Sequence, residues 1–123
     1  MLFRSVAVSS YDVARSTFLL GWYTPALRLL TPLAVGGDAR AQDMLGDLFS
    51  KGLGVPKDES LGAKWYRKAA DQDYEPAELH LGMLYSTGAG ALQNYAQASG
   101  WYRRAVGHRD AMAEYLQIGR AHV

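Results

Sequence analysis

A chain of 123 residues has room for one domain and not for two of ordinary size. Its 13 Lys and Arg against 12 Asp and Glu leave a net charge of +1, which provides no electrostatic footprint for nucleic acid or an anionic membrane surface. No apolar run approaches the ~18 residues of a membrane span, and the absence of cysteine excludes disulfides, thiol catalysis and thiolate metal sites together.

In chain order, residues 11–20 read as a first helix that turns at Gly21, and residues 24–35 as a second. Pro25 falls in the first turn of that second helix, where a missing N–H costs nothing. Pro32 lies inside it and is placed to kink it. Leu27, Leu29, Leu30 and Leu33 stand 36 residues before Ala63, Trp65, Tyr66 and Ala69. The same interval governs the rest of the chain. Trp65-Tyr66-Arg67-Lys68-Ala69 returns as Trp101-Tyr102-Arg103-Arg104-Ala105, and Gly46, Gly52 and Gly54 return as Gly82, Gly88 and Gly90. A fixed period of this length marks a stacked repeat, in which each unit contacts only its neighbours.

Within the period, Ala41, Leu45, Gly46 and Phe49 fall on Ala77, Leu81, Gly82 and Tyr85. At about 100° per residue each set gathers on one face, the buried stripe of a unit's first helix. Gly52 and Gly88 stand where that helix ends and suit the left-handed residue there. Pro56 forbids helix at Val55, and Asp58 and Asn94 supply N-caps for a second helix. Asn94 with Gln97 has the spacing of a capping box. The second helix alternates small and bulky residues, with Ala63, Tyr66, Ala69 and Ala70 in one copy and Ser99, Tyr102, Ala105 and Val106 in the other, as interlocking helix pairs need. The expected fold is all-α: a solenoid of about three helix-turn-helix units spanning residues 6–117. It divides into a partial repeat 11–37, repeats 38–73 and 74–109, and the start of a further one at 110–117, where Asp110-Ala111-Met112-Ala113 echoes Asp38-Ala39-Arg40-Ala41.

The order alanine, Leu-Gly, aromatic, G-x-G-V, acidic cap, Trp-Tyr, basic pair, Ala-Ala, read over residues 41–70, resembles the signature of the Sel-one-like repeat family, relatives of the tetratricopeptide repeat. Residues carrying the resemblance are Gly46, Phe49, Gly52, Gly54, Asp58, Trp65, Tyr66 and Ala69. Those of the second copy are Gly82, Tyr85, Gly88, Gly90, Asn94, Trp101, Tyr102 and Ala105. That copy departs at Ala91 for the valine, Asn94 for the acidic cap and Val106 for the last alanine. The likeness covers roughly residues 11–117, and the 36-residue unit argues against a plain tetratricopeptide array of period 34. It implies a right-handed αα-superhelix whose first helices line the concave side, and a bacterial scaffold or adaptor for protein–protein contacts.

Both ends fit an artificial origin. The register fails after Leu116, where Gln117 replaces the expected leucine and Ile118 the expected glycine. The closing string IGRAHV resembles the translation of a sequencing-library adapter, and the opening MLFRS resembles its reverse complement. Residues 1–5 and 118–123 are therefore expected to be scars on a fragment of a longer array. Without Arg4 and Arg120 the net charge turns to −1. Compartment is left open.

Motifs for chemistry are weak. Some cysteine-rich members of the resembled family are linked to β-lactam binding, but no serine here has lysine three residues on, and there is no cysteine. A β-lactam-recognising hydrolase is thus the disfavoured alternative. Gly52-x-Gly54 and Gly88-x-Gly90 do not complete G-x-G-x-x-G, and they recur with the fold as elbow glycines would. His80, His108 and His122 lack a partner at local metal-ligand spacing, so no metal and no cofactor are expected. Lys64, Arg67, Lys68, Arg103 and Arg104 read as a solvated outer face.

One stripe remains as a candidate for binding. On the first helix of one unit, Asp43, Asp47 and Ser50 lie opposite the buried face at i, i+4 and i+7. Leu79, Met83 and Ser86 are their counterparts in the next unit, and Tyr115 occupies the matching place in the third. This face is expected to see solvent, where the track would grip an extended segment or helix of a partner; the alternative is that adjacent first helices cover Leu79 and Met83 inside the stack. The expected function is a non-enzymatic module that presents the concave face of a solenoid to a protein or peptide, with no nucleic-acid partner and no membrane insertion. A purely structural spacer is the other reading.

Overall fold

In the computed structural model the described residues are 8–88 and 93–121, with side chains described as far as 114. They form six α-helices and no strand: α1 (Ser10–Leu19), α2 (Tyr23–Val35), α3 (Ala39–Lys51), α4 (Glu59–Ala70), α5 (Glu75–Thr87) and α6 (Tyr95–Ala121). Each helix packs on the next in chain order. That is the all-α array the period predicts. Gly90 and residues 1–5 lie outside the described residues.

Local chemistry sets the boundaries. Ser9 caps α1 by accepting from the Asp12 N–H at 3.1 Å, and the chain reverses at Gly21, whose φ is +80°. Asp38 accepts from the Arg40 and Ala41 N–H groups at the start of α3, and Asp58 accepts from Leu61 N–H at the start of α4. Asn94 does the same for Gln97. Gly52 and Gly88 close α3 and α5 in the left-handed conformation, at φ +69° and +78°. The elbow itself repeats: the Asp58 N–H donates to the Phe49 carbonyl at 2.8 Å, and one period on Asn94 donates to Tyr85 at 2.8 Å. α2 runs through Pro32 to Val35.

Two clusters form the core. Ala14, Ala26, Leu30, Ala34, Ala41, Leu45 and Leu48 join α1, α2 and α3; Tyr66, Ala69, Ala70, Ala77, Leu81 and Trp101 join α4, α5 and α6. So many alanines bring helices close, and the glycines bring them closer. A Cβ at Gly46 would lie 2.4 Å from the Tyr66 ring, and one at Gly82 would lie 2.6 Å from the Tyr102 ring. The Leu-Gly step of each first helix is thus a slot for the tyrosine of its own second helix.

Two expectations are corrected. The first is the turn that would end the unit at residue 109 and start a further one at 110. Instead α6 continues through it to Ala121. In the preceding unit the chain turns at residues 71–74, with Asp73 at φ +62°, and Pro76 at the second position of α5 prevents the helix from running through. At the corresponding places stand Arg109 and Met112, which carry no such block. The second concerns the packing face of α6. Ala98, Trp101 and Ala105 are buried, whereas Ser99 and Val106 are exposed, Val106 by 50%. Its counterpart Ala70 is fully buried because α5 returns across it.

Candidate partner-binding groove

The polar edge of α3 is not an open face. Asp43 is 6% exposed, and Asp47 and Ser50 are half-buried, against the expectation that all three see solvent. The reason is geometric. An inner helix of a stack meets its own hairpin partner on one side and the next unit on another, so the face opposite its core stripe is also occupied. Here α4 supplies Tyr66 and α5 supplies His80.

These side chains form one network. The His80 Nδ1 stands 2.8 Å from Asp43 Oδ1, and its Nε2 is 4.0 Å from Asp47 Oδ1. The imidazole lies over Tyr66, with ring centroids 4.7 Å apart. Tyr66 Oη donates to Asp47 Oδ1 at 2.5 Å and sits 3.1 Å from Ser50 Oγ, which in turn reaches the Gly46 carbonyl. Lys51 stands 3.9 Å from Asp47 at the solvent edge.

Burial sets the electrostatics. Loss of water raises the Asp43 carboxyl above its usual range, and the bond to His80 only partly offsets it. Burial also pulls the His80 imidazole down, but the hydrogen bond it donates to Asp43 and the charges of Asp43 and Asp47 outweigh that and leave it raised. The two shifts are not mirror images, since Asp43 is the more deeply buried partner. Burial and the bond to Asp47 push the Tyr66 hydroxyl far up, so it keeps the proton it donates to Asp47. Asp43, Asp47 and His80 bring their ligand-type atoms within 4.8 Å of one another, yet Asp43 is held by His80 and Asp47 by Tyr66. The arrangement is a closed hydrogen-bond network.

Beside it opens a cavity of about 280 Å³ between α3, α4 and α5, lined by Lys51, Glu59, Tyr66, His80, Met83 and Leu84. Of the sequence-predicted stripe, Ser50 and Met83 line this groove. Met83 is 56% exposed and stands uncovered at the lip. Leu79 is half-buried, and Ser86 donates to the Met83 carbonyl of its own helix. The Tyr115 side chain lies outside the described residues. The stripe is therefore split: Asp43 and Asp47 are taken up in the network, while one residue from each helix, Ser50 and Met83, borders the groove.

The part His80 plays has no local motif behind it. No i, i+4 partner marks it; it meets Asp43 across a separation of 37 residues. The period itself is the signal that points there, because stacking units at an interval of 36 places each first helix beside its counterpart. The outer strip behaves largely as a solvated face, with Arg104 also reaching in to Glu78 at 2.8 Å. Lys64, Arg67, Lys68, Arg103 and Arg104 are exposed; Lys68 lies over the Trp65 ring, and Arg67 and Arg104 over Trp101.

Comparison with known proteins places this arrangement. The family model described as Sel1 repeat matches residues 39–74 and 76–106. A Sel1 repeat protein from Oxalobacter formigenes is 33% identical, with a TM-score of 0.76 over 84% of this chain and 42% of that one. The protein c5321, described as a protective antigen in uropathogenic Escherichia coli strains with an SLR fold, is 31% identical, with a TM-score of 0.67 over 70% of this chain and 18% of its own. Helicobacter pylori cysteine rich protein B shares the fold at 18% identity, with a TM-score of 0.63 over 83% of this chain and 92% of that one. The chain thus spans less than half the length of the first two. No curated protein matches it. Among the described residues no helix is long and apolar enough to cross a membrane. The chain belongs to the Sel1 repeat family, whose members are generally protein-interaction modules.

Proposed function

We propose that the chain is an adaptor module that seats a peptide or helix of a partner protein in the groove between α3, α4 and α5. One observation carries the reading: an exposed methionine, Met83, lines a cavity together with Tyr66 and His80, whose side chains are held from behind by hydrogen bonds to Asp47 and Asp43. Methionine adapts to an apolar side chain of varied shape, and a braced wall lowers the entropic cost of binding. Lys51 and Glu59 on the same rim offer one charge of each sign for orienting a backbone or a polar flank.

The Asp43–His80 pair also invites a hydrolytic reading, because an aspartate-oriented imidazole is part of many nucleophile triads. Among the described residues, however, His80 is hydrogen-bonded to Asp43 alone and holds no hydroxyl. An interaction role is the better fit.

Selection of displayed random peptides on the immobilised protein, and affinity measurement of those recovered, tests the proposal. The peptides should lose at least tenfold in affinity on Met83→Glu with helicity unchanged. Equal affinity for the variant, with loss instead on Lys64→Glu or Arg67→Glu, would move the binding face to the outer strip.

A further inference from the structure

One junction between units changes chemistry completely from one copy to the next. At the earlier junction Gln72 donates from Nε2 to Gln42 Oε1 at 2.9 Å and to the Gly37 carbonyl at 3.0 Å, while Gln42 donates to the Ala34 carbonyl at 3.1 Å. It is a neutral, closed arrangement. Advance Gly37, Gln42 and Gln72 by 36 residues, and they become Asp73, Glu78 and His108. Those three bring a carboxylate oxygen, a second carboxylate oxygen and an imidazole nitrogen within 4.8 Å of one another.

The second junction is not closed. Glu78 is fully buried, and neither carboxylate oxygen has a hydrogen-bond partner; nor does His108 Nε2, although it lies only 3.1 Å from Glu78 Oε1. Arg104 brings Nε to 2.8 Å from Glu78 Oε2, which compensates charge without the direction of a hydrogen bond. Its Nη2 donates to Asp73. A buried carboxylate left in this state is costly, and the remedy is a cation that needs no particular N–H direction.

We propose that Asp73, Glu78 and His108 form a site for a divalent transition-metal ion of the zinc type at the junction of α5 and α6. The donor set of two carboxylates and one imidazole suits zinc, with water completing the shell. An open cavity of about 580 Å³ lined by Asp73, Glu75, His108 and Arg109 leads to it from solvent. Arg104 is the internal competitor. Its side chain is 42% exposed, so it can swing outward and yield the position beside Glu78. A bound ion would clamp α6 to α5 where the earlier junction uses two glutamines.

Zinc titration by calorimetry, with cobalt substitution read as visible absorption, tests the site on the whole chain. The wild-type protein should take up one equivalent, and Arg104→Ala should bind at least tenfold more tightly. The triple variant Asp73→Gly, Glu78→Gln, His108→Gln installs the chemistry of the earlier junction, with glycine at a backbone φ that favours it, and should fold while losing that equivalent. His108→Gln alone serves should the triple variant lose its helical circular dichroism. Retention of the tight site in the variant that removes its ligands, or no uptake by wild-type and Arg104→Ala proteins alike, overturns the proposal.

Discussion

The units 38–73 and 74–109 share a frame and differ in what lies against it. The slot and elbow positions, whose partners are in the same unit, repeat in chemistry and in geometry. Gly46 receives Tyr66 as Gly82 receives Tyr102, and both elbows close with the same backbone bond. Positions that face a neighbouring unit do not repeat. Ala70 is fully buried where Val106 is half exposed, Asp47 is replaced by Met83, and a glutamine pair is replaced by a glutamate and a histidine. The identity of a residue in a stacked protein is therefore set by two independent constraints, and comparing copies separates them.

The largest effect expected tests that separation at the end of the second helices. Ala70→Asp places a carboxylate in the closed space between α4 and α5 and should cost more than about 4 kcal/mol, enough to unfold a domain of this size. Val106→Asp should change stability by less than about 0.5 kcal/mol, as surface substitutions do. Chemical denaturation of the two variants decides it; an equally damaging Val106→Asp would mean that another surface covers that face of α6.

Within the shared frame the copies should respond in kind but not in degree. Gly46→Ala drives a methyl group into the Tyr66 ring, which is 3% exposed and fixed by Asp47, and should cost about 2–3 kcal/mol. Gly82→Ala meets Tyr102, which is half-buried and has room to turn, so the loss should be smaller by about 1 kcal/mol. Thermal unfolding of both variants should show the first melting well below the second. Equal melting temperatures would mean that the two slots are equally rigid.

The frame was legible in the sequence because it is made of local signals repeated at a fixed interval. Gly52, Gly88, Asp58 and Asn94 each act within a few residues of themselves, and all four fall where their chemistry puts them. The end of the last unit was not legible in the same way. Asp110-Ala111-Met112-Ala113 has the small-residue pattern of a new first helix, but the turn before it depends on Asp73 and Pro76, and their places are taken by Arg109 and Met112. The groove was half legible. Met83 stood out as an apolar residue on a polar face. The burial of Asp43 did not, because one helical wheel cannot show that the next unit's histidine lies over it.

A smaller effect isolates the network itself. Tyr66→Phe removes the donor to Asp47 and the contact with Ser50, and should cost about 1–2 kcal/mol, as expected for a hydrogen bond to a charged, partly exposed acceptor. Tyr102→Phe should cost less than about 0.5 kcal/mol, because Met83 occupies the place of Asp47 and offers its hydroxyl no acceptor. Urea unfolding with unchanged m-values would make the comparison clean. A matching loss in Tyr102→Phe would show that the tyrosine ring, not its bond, sets the value.

The smallest effect is the dependence on pH, and its sign comes from His80. The groups facing that imidazole are Asp43 and Asp47 on α3, Tyr66 on α4 and, at the rim, Lys51. The net result raises His80 above its ordinary value of 6.5. A raised group stabilises the fold fully below its unfolded pKa, and that contribution disappears as pH rises through the folded one. Asp43 is raised as well, from 3.8, so its own favourable contribution is confined to acid below that value and its ionisation works against the fold above it. Stability from the pair should therefore decline as pH rises above 6.5, where the imidazolium is lost and buried Asp43 keeps its charge without a cation. Histidines elsewhere in a chain contribute to any such curve, so the measurement is a difference: melting temperature against pH for the wild-type protein minus that for His80→Gln. In the first unit Met44 holds the position of His80, and nothing there should add to the slope. Parallel curves for the two proteins would show that the network holds Asp43 without help from the charge on His80, and would leave hydrogen bonding alone as its basis.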